Sequence, residues 1–190
     1  EQRVTVVTKK AVRKKKNIVV YIHTVNFNKA CRKIGVMMPI AELLQALQKF
    51  GRVVQVFAFY NAGCPERILK LFMRHDCFLI GCFDNKTAIG TTGRCLDRLL
   101  KKNKAPLVDV DEKYDWIDSY IDRMVRANLE TMEEVDIHVI VSGDRHFDPA
   151  LSRIRQRGKK ALKCHVDEEK RELLFGILIL GLIIIFIFTV

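Results

Sequence analysis

The chain has 190 residues, 49% of them hydrophobic and 29% charged, which excludes a disordered or low-complexity polypeptide and leaves room for one sizeable domain rather than two. Its 33 Lys and Arg against 22 Asp and Glu give a formal charge of +11, which points to an anionic partner: RNA, DNA or anionic lipid. Six cysteines with no CxxC pair argue against a structural zinc knuckle and fit free thiols in a reducing compartment.

Residues 1–16 form a basic arm, with Arg3, Lys9, Lys10, Arg13, Lys14, Lys15 and Lys16 against the single acid Glu1. NIVVYI (17–22) is a β-branched run without alternation, the pattern of a buried parallel strand, and it leads into a polar loop beginning His23-Thr24-Val25-Asn26. Pro39 opens a helix whose apolar stripe falls at 40, 43, 44, 47 and 50 and which Gly51 closes. VVQVFAFY (53–60) is a second strand, Pro65 to about His75 a helix, and CFLIGCF (77–83) a third strand. Asp84 to Gly93 reads as a flexible loop that matches no phosphate-loop motif, and Arg94 to Lys102 as a short basic helix. Asp111 to about Met132 is the longest helix, buried through Ile117, Tyr120, Ile121, Met124 and Val125. VDIHVIV (135–141) is a fourth strand, Pro149 to Arg157 a helix ended by Gly158, and KKALKCHV a fifth strand. Strand and helix alternate throughout. This predicts an α/β fold: a three-layer αβα sandwich around a mostly parallel five-stranded sheet, occupying 17–168.

Leu173 to Val190 carries no charge. As a helix this run would be about 27 Å long, close to the thickness of a bilayer core, with Lys170 and Arg171 just before it. The expectation is a C-terminal hydrophobic helix within 169–190 that anchors the chain in a membrane, with the domain facing the cytosol. The start of the chain is basic and shows no signal-peptide pattern.

Ligands of such sheets meet the loops beyond the C-terminal ends of the strands. The first strand delivers His23 and Asn26 there, and the fourth delivers Ser142, Asp144 and His146. The long helix adds Asp111, Asp115, Asp118 and Asp122, which follow one another by four, three and four residues and so share one helical face. Such a stripe is either a solvated face or a cation site. Carboxylates holding a divalent ion suit phosphodiester hydrolysis with Mg²⁺ or Mn²⁺, and two imidazoles would shift the preference toward Mn²⁺, Fe²⁺ or Zn²⁺. His75, His138 and His165 read as structural.

IVVYIHTVNFNKA, followed much later by VDIHVIVSGDRHFDPALSRIRQRGKKALKC, resembles the NYN domain, a branch of the PIN-like nuclease superfamily. The resemblance covers roughly residues 17–166, and its most specific part is the ending: an apolar strand, Ser-Gly-Asp, a short helix, Arg-x-x-Gly-Lys-Lys and a last strand. It implies a PIN-like, metal-dependent endoribonuclease-type domain acting on RNA phosphodiesters. It implies Asp122, Asp144 and Asn26 as catalytic residues, and Asp144, Asp122, His23 and His146 as metal ligands. It also allows a homo-dimer. Several family acids are replaced: His23 stands at the first-strand Asp, Trp116 at an acid of the long helix, and His146 at the second acid after the fourth strand. Asp115 or Asp118 is the available substitute for the acid at Trp116, although a helix turns them about 100° and 200° away from it.

Two basic groups would meet the polyanion: Arg94, Arg98, Lys101, Lys102 and Lys104, and then Arg153, Arg155, Arg157, Lys159, Lys160 and Lys163. Residues 109–136, with ten acids and three bases, contrast with them. Arg94, Arg98, Lys101, Lys102, Arg153, Arg157, Lys159 and Lys160 are the expected nucleic-acid contacts. The alternatives are a catalytically inactive RNA-binding module of the same fold and a membrane-surface adaptor.

Overall fold

The computed structural model describes residues 15–82 and 116–167, and the backbone of 172–179 and 182–189. The basic arm up to residue 14, the expected loop at 84–93 and the expected helix at 94–102 lie outside the described residues.

In chain order the elements are β1 (Asn17–His23), α1 (Thr24–Lys33), α2 (Ile40–Gln48), β2 (Arg52–Tyr60), α3 (Glu66–Met73) and β3 (Phe78–Gly81). There follow α4 (Trp116–Thr131), β4 (Val135–Val141), a 3₁₀ turn (Arg145–Phe147), α5 (Asp148–Gln156), β5 (Lys160–Asp167), β6 (Glu172–Ile179) and β7 (Leu182–Thr189). They build one sheet of order β3-β2-β1-β4-β5-β6-β7. The first five strands in that order are parallel, and β6 and β7 add antiparallel.

β1 lies at the centre, and all seven of its residues are buried. Its pleat explains why no alternation shows in the sequence, since both faces are covered by helices. Ile18, Val20 and Ile22 pack with Phe27, Cys31, Leu43, Leu47 and Phe72 from α1, α2 and α3. Val19 and Tyr21 pack on the other face with Ile117, Ile121, Val125, Leu151 and Ile154 from α4 and α5. The three-layer sandwich and its parallel five-stranded core are therefore as the alternation of elements predicts.

Two expectations are corrected. The polar stretch after β1 is not a loop, because α1 begins at Thr24, directly after the strand. Its buried residues Phe27 and Cys31 form the narrow apolar stripe that the surrounding polar residues obscure.

The apolar C-terminal run is not a helix. It forms β6 and β7, an antiparallel pair in which Ile179 faces Leu182 and Leu173 faces Phe188. β6 is zipped onto β5 from Leu162 opposite Ile177 to Asp167 opposite Glu172. Among the described residues no helix is long and apolar enough to cross a membrane. This overturns the expected C-terminal hydrophobic helix, the membrane attachment through that segment and the membrane-anchored location built on it. The physical reason is that an uninterrupted apolar run has no period, so it cannot distinguish helix from strand. What favours the pleated form is the Ile- and Phe-rich composition, since β-branched and aromatic side chains pack well on a sheet.

A candidate metal centre at the switch point of the sheet

From β1 the chain crosses to β2 on one side, and from β4 it crosses to β5 on the other. The crevice between the C-terminal ends of β1 and β4 is thus the topological switch point, where α/β sheets leave room for a ligand. α4 precedes a strand parallel to the others, so it runs back against the strand direction and its first turns lie at that same end. Three segments therefore meet there: the end of β1, the start of α4 and the loop after β4.

Asp118, Asp144 and His146 converge in this crevice, each offering one ligand atom, and these atoms all lie within 4.8 Å of one another. His146 Nδ1 is 3.1 Å from Asp144 Oδ1 and 3.7 Å from Asp118 Oδ2. Asp118 is only 6% exposed, whereas His146 is half exposed. The cluster is thus closed beneath and open above. Two carboxylates held this close, one of them buried, repel each other, and a divalent cation relieves that cost. Two carboxylate oxygens and one imidazole nitrogen are a donor set that suits Mn²⁺, Fe²⁺ or Zn²⁺ and accommodates Mg²⁺ less well. The residues present fit a divalent ion.

His23, at 3% exposure, lies under the cluster. Its Nδ1 accepts a hydrogen bond from the Asn26 backbone N–H at 3.2 Å, which caps α1. With that lone pair engaged, the neutral ring carries its proton on Nε2. Nε2 stands 3.4 Å from Asp118 Oδ1, so the His23 ring backs one carboxylate oxygen while the other faces His146. The edge of the His23 ring rests against Phe147, 6.4 Å between centroids, which fixes its plane.

The loop after β4 is held by a chain of hydrogen bonds. Ser142 Oγ accepts from the Asp144 N–H at 3.1 Å and from Asn26 Nδ2 at 3.3 Å. Asp144 Oδ1 accepts from the His146 N–H at 3.0 Å, and Lys163 Nζ donates to the Asp144 carbonyl at 2.6 Å. Asn26, expected among the catalytic residues, thus stands on the first turn of α1 and braces this loop through Ser142.

Asp122 is placed differently from Asp144. It lies one turn deeper along α4 than Asp118, about 6 Å along the axis, and outside the three-residue cluster. Its Oδ2 accepts from Arg126 Nε at 2.8 Å and its Oδ1 from Arg153 Nη1 at 2.6 Å. Trp116, where the family resemblance expects an acid, is partly exposed at the first residue of α4. Asp118, which the sequence offers on the acidic stripe and as a substitute for the acid at Trp116 but not among the expected ligands, is the helix acid that joins the cluster. The signal for it was present: in a helix running against the strands, the earlier acid of a shared face sits nearer the strand ends.

The expected basic surface divides. Arg153 pairs with Asp122, one helical turn from Asp118. Lys160 opens β5 opposite Ile137, at the N-terminal edge of the sheet, where its ammonium lies 5.6 Å from the Phe50 ring centroid. Lys159 donates to the Glu133 carbonyl, and the exposed Arg157 stands 4.0 Å from Glu130. These three belong to the edge of the sheet away from the crevice. Arg94, Arg98, Lys101 and Lys102 lie outside the described residues.

No protein-family model matches the chain, and no curated protein matches it in sequence. Among solved structures it is similar to the crystal structure of a protein of unknown function from Vibrio parahaemolyticus, with a TM-score of 0.53 and 18% sequence identity. The similarity covers 81% of this chain and 83% of that one. At this identity the likeness shows the fold alone. The chain is thus an α/β sandwich with a clustered acidic and histidine site able to hold a divalent ion, consistent with a metal-dependent, hydrolase-like domain.

Proposed function

We propose that this domain is a PIN-like, metal-dependent phosphodiester hydrolase of the endoribonuclease type. The observation that carries the reading is the convergence of Asp118, Asp144 and His146 at the switch point of a β3-β2-β1-β4-β5 sheet. Asp118 Oδ2, Asp144 Oδ1 and His146 Nδ1 hold the ion, with Mn²⁺ preferred to Mg²⁺ because one of the three donors is an imidazole. Bound there, a divalent ion supplies Lewis-acid polarisation of a phosphoryl oxygen and lowers the pKa of water. His23 orients Asp118, and Ser142, Asn26 and Lys163 keep Asp144 in place, so the ligands are arranged before the ion arrives. The open side, at half-exposed His146, admits an extended strand.

The test is Mn²⁺ binding by calorimetry, followed by cleavage of a labelled single-stranded RNA with Mn²⁺, with Mg²⁺ and with EDTA. Parent protein is expected to bind one Mn²⁺ and to cleave only with metal. Asp118→Asn and Asp144→Asn should each lose both, and Asp122→Asn should retain Mn²⁺ binding. Cleavage that persists in EDTA, or in the Asp144→Asn protein, overturns the reading. Metal binding without cleavage favours the catalytically inactive module, for which the replacement of family acids by His23 and Trp116 is the supporting observation.

A further inference from the structure

We propose that Arg126 and Arg153, held apart on Asp122, form a phosphate-binding subsite beside the metal cluster that takes the phosphate next to the one attacked. The inference rests on the reading of the site as a phosphodiester hydrolase.

Asp122 bridges two guanidinium groups, one on each carboxylate oxygen. One guanidinium is enough to neutralise a carboxylate, so the trio keeps a net charge of +1. Arg126 spends Nε on the bridge and Arg153 spends Nη1. A guanidinium has five N–H donors, and neither side chain donates another hydrogen bond among the described residues. All three side chains are about 30% exposed, so their remaining donors are accessible to a ligand. An anion with several oxygens satisfies such donors, and planar guanidinium forks suit phosphate in particular.

The clamp also fixes what would otherwise be two long, mobile side chains. Arg126 is on α4 and Arg153 on α5, and the carboxylate between them sets their separation. Binding then costs less side-chain entropy than binding to two free arginines. Position completes the argument. Asp122 follows Asp118 by one helical turn on the same face, so the trio is about 6 Å from the ligand cluster along the helix axis. That is comparable to the spacing of neighbouring phosphates in an extended strand. An ion at the cluster and a cationic trio one turn away would meet two successive phosphates. This accounts for a conspicuous acid being diverted from the ion to a pair of cations.

The test measures binding of a fluorescent single-stranded oligonucleotide in EDTA, by anisotropy across a salt series, so it does not depend on metal or cleavage. The Asp122→Asn, Arg126→Gln, Arg153→Gln triple variant replaces the trio by neutral amides and leaves no unpaired charge. It should bind roughly ten-fold more weakly, with a salt slope shallower by about 0.7, the value for one lost phosphate contact. Its Mn²⁺ binding should equal that of the parent, which also shows that it is folded. The Arg126→Lys, Arg153→Lys variant keeps the charge and loses the forks; it should keep the salt slope and lose several-fold in affinity. Parental affinity and slope in the triple variant, or parental affinity in the lysine variant, overturns the subsite. Failure of the hydrolase reading would appear separately, as absence of Mn²⁺ binding in the parent.

Discussion

Protonation of His138 should make this fold acid-labile by a calculable amount. His138 is in β4, fully buried, and its Nδ1 stands 3.0 Å from the Tyr21 hydroxyl. Asn128 Nδ2 donates to that hydroxyl at 3.0 Å, so the hydroxyl proton is directed at His138 Nδ1 and the imidazole is neutral. Nε2 has no hydrogen-bond partner among the described residues. A second proton would place a charge in an apolar layer and turn the Tyr21 contact from donor–acceptor to donor–donor. Burial, with a smaller contribution from the Lys159 charge, lowers the His138 pKa from 6.5 to about 4. The unfolded chain therefore binds this proton at higher pH than the folded one. The contribution is complete above about pH 7 and is lost as pH falls from 6.5 to 4. Between pH 7.5 and pH 4.5 the loss is about 2–3 kcal/mol, from roughly 1.8 pKa units at about 1.4 kcal/mol each. Urea unfolding at the two pH values, for parent and for His138→Gln, isolates it. Gln can still accept from Tyr21 but does not titrate, and His165, whose pKa is also lowered, is common to both proteins. The parent should lose about 2–3 kcal/mol more than the variant over this interval. Equal losses would refute the argument.

Two further outcomes test other layers of the structure. His23→Asn should keep the cap on α1, since Asn is a good capping residue, but it removes the imidazole that backs Asp118 at 3.4 Å; Mn²⁺ affinity in a calorimetric titration should fall about 10-fold or more while the melting temperature moves little. Phe72→Ala removes a fully buried ring from the face covered by α1, α2 and α3, and urea unfolding should show a loss of about 3–5 kcal/mol.

The sandwich was legible because its signals are periodic and local. α2 and α4 carry apolar stripes at helical spacing, and β1 and β4 are short β-branched runs bounded by polar residues. Asp144 and His146 were legible for the same reason, since the end of a strand in such a sheet fixes where its following residues go. Asp118 was harder. Four acids share one face of the sequence pattern, and choosing among them requires the depth of each turn relative to the sheet, which depends on packing. α1 was hidden because His23, a residue seldom read as a cap, serves as one. The C-terminal run was misread because hydropathy measures how apolar a segment is, whereas its fate depends on whether an open strand edge is available. β5 provides that edge, and no local pattern reports it.

The pairing of β1 with β4 bears on how the molecule folds. The bond from the Asn17 N–H to Asp136 joins residues 119 apart in sequence, whereas β6 and β7 are neighbours in the chain as well as in the sheet. Long loops close slowly, because chain entropy is lost before the contacts form. The crevice draws on both ends of that loop: His23 lies near its start and packs under Asp118 near its end, and Asp144 and His146 follow it. Ion binding by this cluster should therefore appear only when the central strands have joined. In a stopped-flow refolding experiment, Mn²⁺ uptake would serve as a clock for the last long-range step rather than the first.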